Sequence, residues 1–209
     1  AQATPLLDQA DLANYDLLHA IRALTAISQG NVRRVVDFKN LGAEELGSVY
    51  ESLLELDPEL SVDAATFALR TVAGSERKTT GSYYTPTSLI TCLLDSALEP
   101  VVADRLRAVQ RGDQQTRANA ILAIKVVDPA CGSGHFLIAA ANRLALHLAR
   151  VRTGDDEPSP AERRVALREV VHHCIHGVDI NPMSVELCKV ALWMETLDPG
   201  KPLGFLDRN

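Results

Sequence analysis

Two carboxylates and a pair of glycines carry the chemistry that this sequence suggests. Residues 125–137 read Lys-Val-Val-Asp-Pro-Ala-Cys-Gly-Ser-Gly-His-Phe-Leu, a β-branched run that breaks into a turn and then a helix. Gly132 and Gly134 allow the main chain positive φ angles and let a ligand approach without a Cβ in the way. A helix opening near His135 directs its unpaired N–H groups at the same place. Asp128 sits at the carboxyl end of the strand, where open α/β sheets bind ligands. An acid there suits a cationic sulfonium and amino group better than a pyrophosphate, and the third glycine of a dinucleotide GxGxxG loop is replaced by Leu137. The turn therefore reads as a seat for S-adenosylmethionine. Asp179, at the end of a second apolar run over 174–180, can accept hydrogen bonds from both hydroxyls of a ribose. In the plain fingerprint that acid follows the loop by about 20 residues; here a helix near 160–173 is inserted between them.

Other clusters compete for attention and read more simply. His172, His173, Cys174 and His176 have the composition of a metal site. Zinc needs four ligands converging on one point, and strand alternation works against that, so no metal is expected. Cys131 lies near a helix N-terminus, where a thiol pKa can fall, but no base partner is evident and no catalytic residue is assigned.

The motifs resemble a known family. DPACGSGHFL is similar to the cofactor motif of the class I S-adenosylmethionine-dependent methyltransferases that modify adenine in DNA. Upstream, Gly81-Ser-Tyr-Tyr-Thr-Pro86 resembles the segment that folds over the methionine end of the cofactor, and downstream Gly177-Val-Asp-Ile-Asn-Pro182 resembles the second strand with its ribose-binding acid. The likeness runs from about Leu41 onward and is closest to the type I, type IIG and phage-exclusion (BREX-like) enzymes. It implies a Rossmann-like α/β sheet, mostly parallel, preceded by a helical region. It also implies cofactor contacts from Tyr84, Thr85, Asp128, Ala130, Gly132, Gly134, Phe136, Asp179 and Ile180. In such enzymes the base is flipped into a pocket, and catalysis is chiefly positioning. The acceptor motif of the family, Asn or Asp-Pro-Pro-Tyr or Phe, is absent; Asn181-Pro182-Met183 lacks its second proline and aromatic and reads as a helix cap. The sheet is accordingly expected to be truncated, with the acceptor motif beyond Asn209. The chain is expected to bind cofactor weakly and to methylate nothing unaided.

The elements that must position these residues follow from periodicity. Thr4-Pro5 opens a helix carrying Leu17, Leu18, Ile21 and Leu24, ended by Gly30-Asn31; Leu46, Val49, Tyr50, Leu53 and Leu54 form another stripe closed by Asp57-Pro58. Both stripes read as core faces. Residues 65–72 alternate weakly, as a strand does. A helix is expected over 88–109 with a break at Pro100, then a polar connector over 111–119 and the first sheet strand over 121–127, buried and nearly all apolar. The next helix turns Phe136, Leu137, Ala140, Leu144 and Leu148 inward. Ser159, Pro160 and Glu162 spell a capping box, and Asn181-Pro182 starts a last helix. Residues 1–74 are thus expected to form a helical region and 75–209 the N-terminal part of the methyltransferase domain.

Composition narrows the partners. A formal charge of −6 does not suit a chain that grips DNA by itself, so DNA is expected to meet mainly regions outside this chain. Restriction or defence-complex subunits are further expected partners. Four cysteines without CxxC spacing fit a reducing cytoplasm, and no apolar run approaches the roughly 18 residues of a membrane span. Two other readings share the donor motifs or discard them: a class I methyltransferase acting on RNA or protein, and a non-catalytic assembly module.

Overall fold

The computed structural model describes residues 13–29, 32–38, 49, 56–61, 64, 66–71 and 85–198. The chain divides into two compact units, Ala1–Leu41 and Gly42–Asn209.

In the first unit, helix α1 (Asn14–Thr25) leads directly into an antiparallel hairpin of β1 (Ala26–Gln29) and β2 (Val32–Val35). The helical spacing of Leu17, Leu18, Ile21 and Leu24 is real, but the expected burial is not: these side chains are 44–71% exposed. One helix and one two-stranded hairpin offer too little surface to cover such a stripe. The helix also stops at Thr25, short of Gly30-Asn31, because Ala26–Gln29 pair with Val32–Val35 as a strand.

The second unit opens with another antiparallel hairpin, β3 (Leu56–Ser61) and β4 (Thr66–Thr71), paired from Leu56↔Thr71 to Ser61↔Thr66. The strand expected near 65–72 is β4. Asp57 and Pro58, read as a helix end, lie inside β3, where a two-stranded ribbon leaves an edge that tolerates proline. Of the stripe before them only Val49 falls within the described residues. The stretch up to residue 74, expected to be helical, thus carries two hairpins besides α1.

Helix α2 (Thr87–Leu93) continues through a π-helical turn (Leu94–Leu98) into α3 (Glu99–Ala108). The expected break at Pro100 is instead this widened turn, a common way to absorb a residue that lacks an N–H and crowds the preceding carbonyl. The Ser96 hydroxyl donates to the Cys92 carbonyl at 2.8 Å within it.

A second correction follows. The expected connector over 111–119 is mostly helix α4 (Gln114–Leu122), capped by Asp113, whose carboxylate accepts from Thr116 N at 2.7 Å. Helical spacing buries Ala118 and Ile121, so the apolar run that looked like one strand is split between a helix end and β5 (Val126–Asp128).

Helix α5 (His135–Thr153) and helix α6 (Pro160–Cys174) then lead to β6 (Ile175–Gly177) and α7 (Pro182–Glu195). The Ser159–Glu162 capping box forms as expected. Helix α6 extends to Cys174, leaving three residues of strand rather than seven.

β5 and β6 pair in parallel, Val126↔Ile175, Val127↔His176 and Asp128↔Gly177. Side chains alternate along a strand. Ile175 is buried on the covered side, whereas Val127, on the other, is 59% exposed, so the burial expected of the first strand is present on one face only. Helix α5 is the spine of the core: Leu137, Ala140, Leu144 and Leu148 are all at most 1% exposed. Removing Leu144 or Leu148 to Ala would cost about 2–5 kcal/mol. The architecture is α/β, mostly helical, with small sheets; among the described residues, one is parallel and two are antiparallel. No helix among these residues is long and apolar enough to cross a membrane.

Candidate functional site

The two parallel strands end side by side, and their continuations are laced together. Val178 N donates to the Asp128 carbonyl at 2.9 Å, and Cys131 N donates to the Val178 carbonyl at 3.0 Å. This pattern extends the β5–β6 pairing past both strand ends, bringing the glycine turn up to the segment that carries Asp179.

Each acid is tied into the turn by main-chain donors. Asp128 Oδ1 accepts from Ala130 N at 3.0 Å, a short-range turn contact typical of aspartate. Asp179 Oδ2 accepts from Gly132 N, and its Oδ1 from Asn181 N, both at 2.8 Å. Asp179 is therefore a fixed part of the turn, with one donor on each oxygen.

The glycines do different work. Both have positive φ, 53° at Gly132 and 88° at Gly134, as their positions in the turn suggested. A Cβ built on Gly132 meets no heavy atom within 4 Å, so the main chain there faces open space. A Cβ on Gly134 would stand 2.5 Å from Cys188 Sγ, so this glycine serves the packing of α7 against the start of α5. Gly177 is similar, since its Cβ would meet Leu137 Cδ1 at 2.8 Å and Cys131 Sγ at 3.1 Å. Helix α5 begins at Gly134 without a side-chain cap, leaving the N–H groups of its first turn pointing toward the turn.

Of the residues singled out from sequence, Asp128, Ala130, Gly132, Gly134 and Asp179 share this corner of the fold. Ile180, next to Asp179, is 83% exposed. Phe136, in the first turn of α5, lines an apolar groove with Leu94, Leu98 and Val126. Thr85 is exposed immediately before α2, and Tyr84 lies outside the described residues. No described contact joins Thr85 to the strand ends.

Three contributions were not foreseen: the Asn181 N–H on Asp179, the Val178 main chain, and the Cys188 thiol behind Gly134. Main-chain contacts leave no mark in side-chain identity, and a cysteine on a helix looks like any small core residue. The buried thiols of Cys131 and Cys188 meet, and this contact together with burial drives Cys188 above its ordinary pKa. That contact is between thiols and supplies no base. In the polar cluster on α6, Cys174 is buried with its thiol toward the carbonyls of Ile121 and Leu122, while His172 and His173 are exposed with their rings edge to face.

This corner of the fold brings together two carboxylates, an uncovered stretch of main chain and a helix N-terminus.

Residues 57–201, more than half of the chain, match the family described as N-6 DNA methylase. A protein of Methanocaldococcus jannaschii named as a candidate type II restriction enzyme and methyltransferase is 24% identical over 185 residues, covering 76% of this chain and 14% of that protein. The adenine-specific methyltransferase PglX of Streptomyces coelicolor is 26% identical over 170 residues, covering 79% of this chain and 12% of the relative. The chain therefore spans a small part of the length of these curated relatives. No solved structure matches it.

Proposed function

The chain belongs to the N-6 DNA methylase family, and on that premise we propose that it is the donor-binding part of an adenine-specific DNA methyltransferase from a restriction-modification or phage-defence system. The donor in this reading is S-adenosylmethionine, which supplies a methyl group activated by a positive sulfonium. One observation supports the site above the rest: the 2.8 Å bond from Gly132 N to Asp179, which draws the turn after β5 and the end of β6 into a single crevice.

The residues there fit such a molecule. Asp128 and Asp179 supply negative charge for the sulfonium and amino groups. A carboxylate offers about four lone-pair positions, so Asp179, with two engaged by N–H groups, keeps room to accept from the hydroxyls of a ribose. Gly132 leaves its main chain open to close approach. Ala130 and Gly134 shape the turn, Phe136 and Ile180 offer apolar contact to the adenosine, and Tyr84 and Thr85 are assigned to the methionine end. In the same reading β5 and β6 begin a Rossmann-like parallel sheet, 75–209 is methyltransferase domain and 1–74 precedes it. The net charge of −6 and the lack of an Asn/Asp-Pro-Pro-aromatic tetrad leave the gripping of DNA and the acceptor chemistry to other regions or subunits in the cytoplasm.

Calorimetry with S-adenosylmethionine tests this reading. The expected result is weak, saturable binding that falls at least tenfold in Asp179→Ala and Asp128→Ala. Heats with no saturation, or binding untouched by both substitutions, would remove the donor site; methylation of DNA by the chain alone would show that the acceptor site had been misplaced.

A further inference from the structure

A cavity of about 440 Å³ lies at the other end of α5, lined among others by Gly112, Gln114, Arg117, His147, Arg150 and Gly154. The 19 residues of α5 at ~1.5 Å each put roughly 28 Å between this end and the glycine turn. The cavity is therefore a separate place from the crevice described above.

Its arginines differ from their neighbours on the same scaffold. Arg143 is matched by Asp95 and Glu99, both at 2.8 Å, and Arg152 by both oxygens of Glu169 at 2.7 and 2.6 Å. Neither Arg117 nor Arg150 has a carboxylate partner among the described residues. Arg150 is steadied through its Nε, which donates to the Asp156 carbonyl at 2.8 Å, and this leaves its terminal nitrogens available. Arg117 Nε is buried and has no hydrogen-bond partner among the described residues. A buried donor of that kind calls for an occupant. The acids nearby are already engaged or peripheral: Glu99 holds His147 at 2.9 Å, Asp113 caps α4, and Asp156 is an exposed residue on the wall.

We propose that this cavity, between the start of α4 and the end of α5, is a second binding site that takes the phosphoryl group of a small phosphorylated molecule on Arg117 and Arg150. Guanidinium forks match phosphoryl oxygens in geometry and charge. Small-molecule clefts commonly run from roughly 300 to 1,000 Å³, so the space admits a nucleotide-sized ligand and not a lone ion only. Gly154, with open space where a Cβ would stand, keeps one wall clear.

The test titrates the purified chain with inorganic phosphate, ADP and adenosine at constant ionic strength, followed by calorimetry and thermal shift. Saturable binding of phosphate or ADP, absent with adenosine, is expected to weaken at least tenfold in Arg117→Gln and in Arg150→Gln. Tighter binding of ADP assigns the phosphoryl group to a nucleotide; equal or tighter binding of phosphate assigns it to the free anion. Should Arg117→Gln fail to fold by circular dichroism, the exposed Arg150 carries the test alone. Binding that survives these substitutions, an effect reproduced by sodium chloride, or response only to duplex DNA would overturn the proposal. Affinity for S-adenosylmethionine should be the same in both variants, so failure here leaves the donor site standing.

Discussion

Gly132 N lies 2.8 Å from Asp179 Oδ2, so the acid at the end of β6 holds the turn that follows β5 before any ligand arrives. Because the other oxygen takes Asn181 N, Asp179→Ala strips the acceptor from two main-chain donors at once. The expected cost in urea unfolding is about 1–3 kcal/mol, with S-adenosylmethionine binding weakened further than the loss of a ribose contact alone would explain. Asp179→Asn keeps one oxygen and should fall between. An alanine variant as stable as the parent would mean that the turn stands without this bond.

The two glycines of the turn should separate stability from binding. Gly134→Ala forces a Cβ to within 2.5 Å of Cys188 Sγ at a φ of 88°, so both sterics and backbone oppose it. A loss above ~1–3 kcal/mol is expected. Gly132→Ala pays for backbone alone, about 1–2 kcal/mol, since nothing lies within 4 Å of the new methyl. Its larger effect should be on S-adenosylmethionine, whose approach the methyl would obstruct. Cys188→Ala should recover part of the Gly134→Ala loss and none of the Gly132→Ala loss. Recovery in both cases, read by thermal unfolding of the double variants, would contradict the packing described.

How far this corner could be read from sequence depended on which groups made the contacts. Positive φ at Gly132 and Gly134, the cap at Asn181 and the box at Ser159 are written in residue type and spacing. The fate of residues 121–127 was not, because a short apolar run satisfies a helix end and a buried strand equally; Asp113, seven residues before Ala120, tips it by capping α4. The exposure of Leu17 and Ile21 was hidden for another reason: periodicity shows that a helix has an apolar face and says nothing of what covers it. The link between Gly132 and Asp179 joins a main-chain N–H to an acid 47 residues away, a pairing that motif order hints at and no local rule dictates.

Capping at the start of α6 offers a local check. Ser159 Oγ accepts from Glu162 N at 3.3 Å, and Glu162 Oε2 accepts from Ser159 N at 2.8 Å. Ser159→Ala should lower stability by about 1 kcal/mol and leave S-adenosylmethionine binding unchanged, because no described hydrogen bond joins this end of α6 to the glycine turn. A change in affinity for the cofactor without a change in melting temperature would show that the helix start communicates with the site.

The clamp between α5 and α6 should make stability depend on pH in one direction. Arg152 donates to both oxygens of Glu169, and this bond holds the Glu169 carboxyl below its ordinary value of 4.5. A carboxyl whose pKa is lower in the folded than in the unfolded chain stabilises the fold above the unfolded value and loses that contribution as pH falls through the folded one. The window is therefore below pH 4.5, and stability drops on acidification. With side chains 30% and 38% exposed, solvent screening limits the effect to about 1 kcal/mol. Glu99 is lowered as well, where its bonds to Arg143 and His147 outweigh the upward push of burial, so the whole protein cannot isolate one pair. Glu169→Gln can: the gap between parent and variant in urea unfolding should be near its full size at neutral pH and shrink as the pH falls below 4.5. A gap of constant size across that range would show that the pair holds the helices by packing and not by charge.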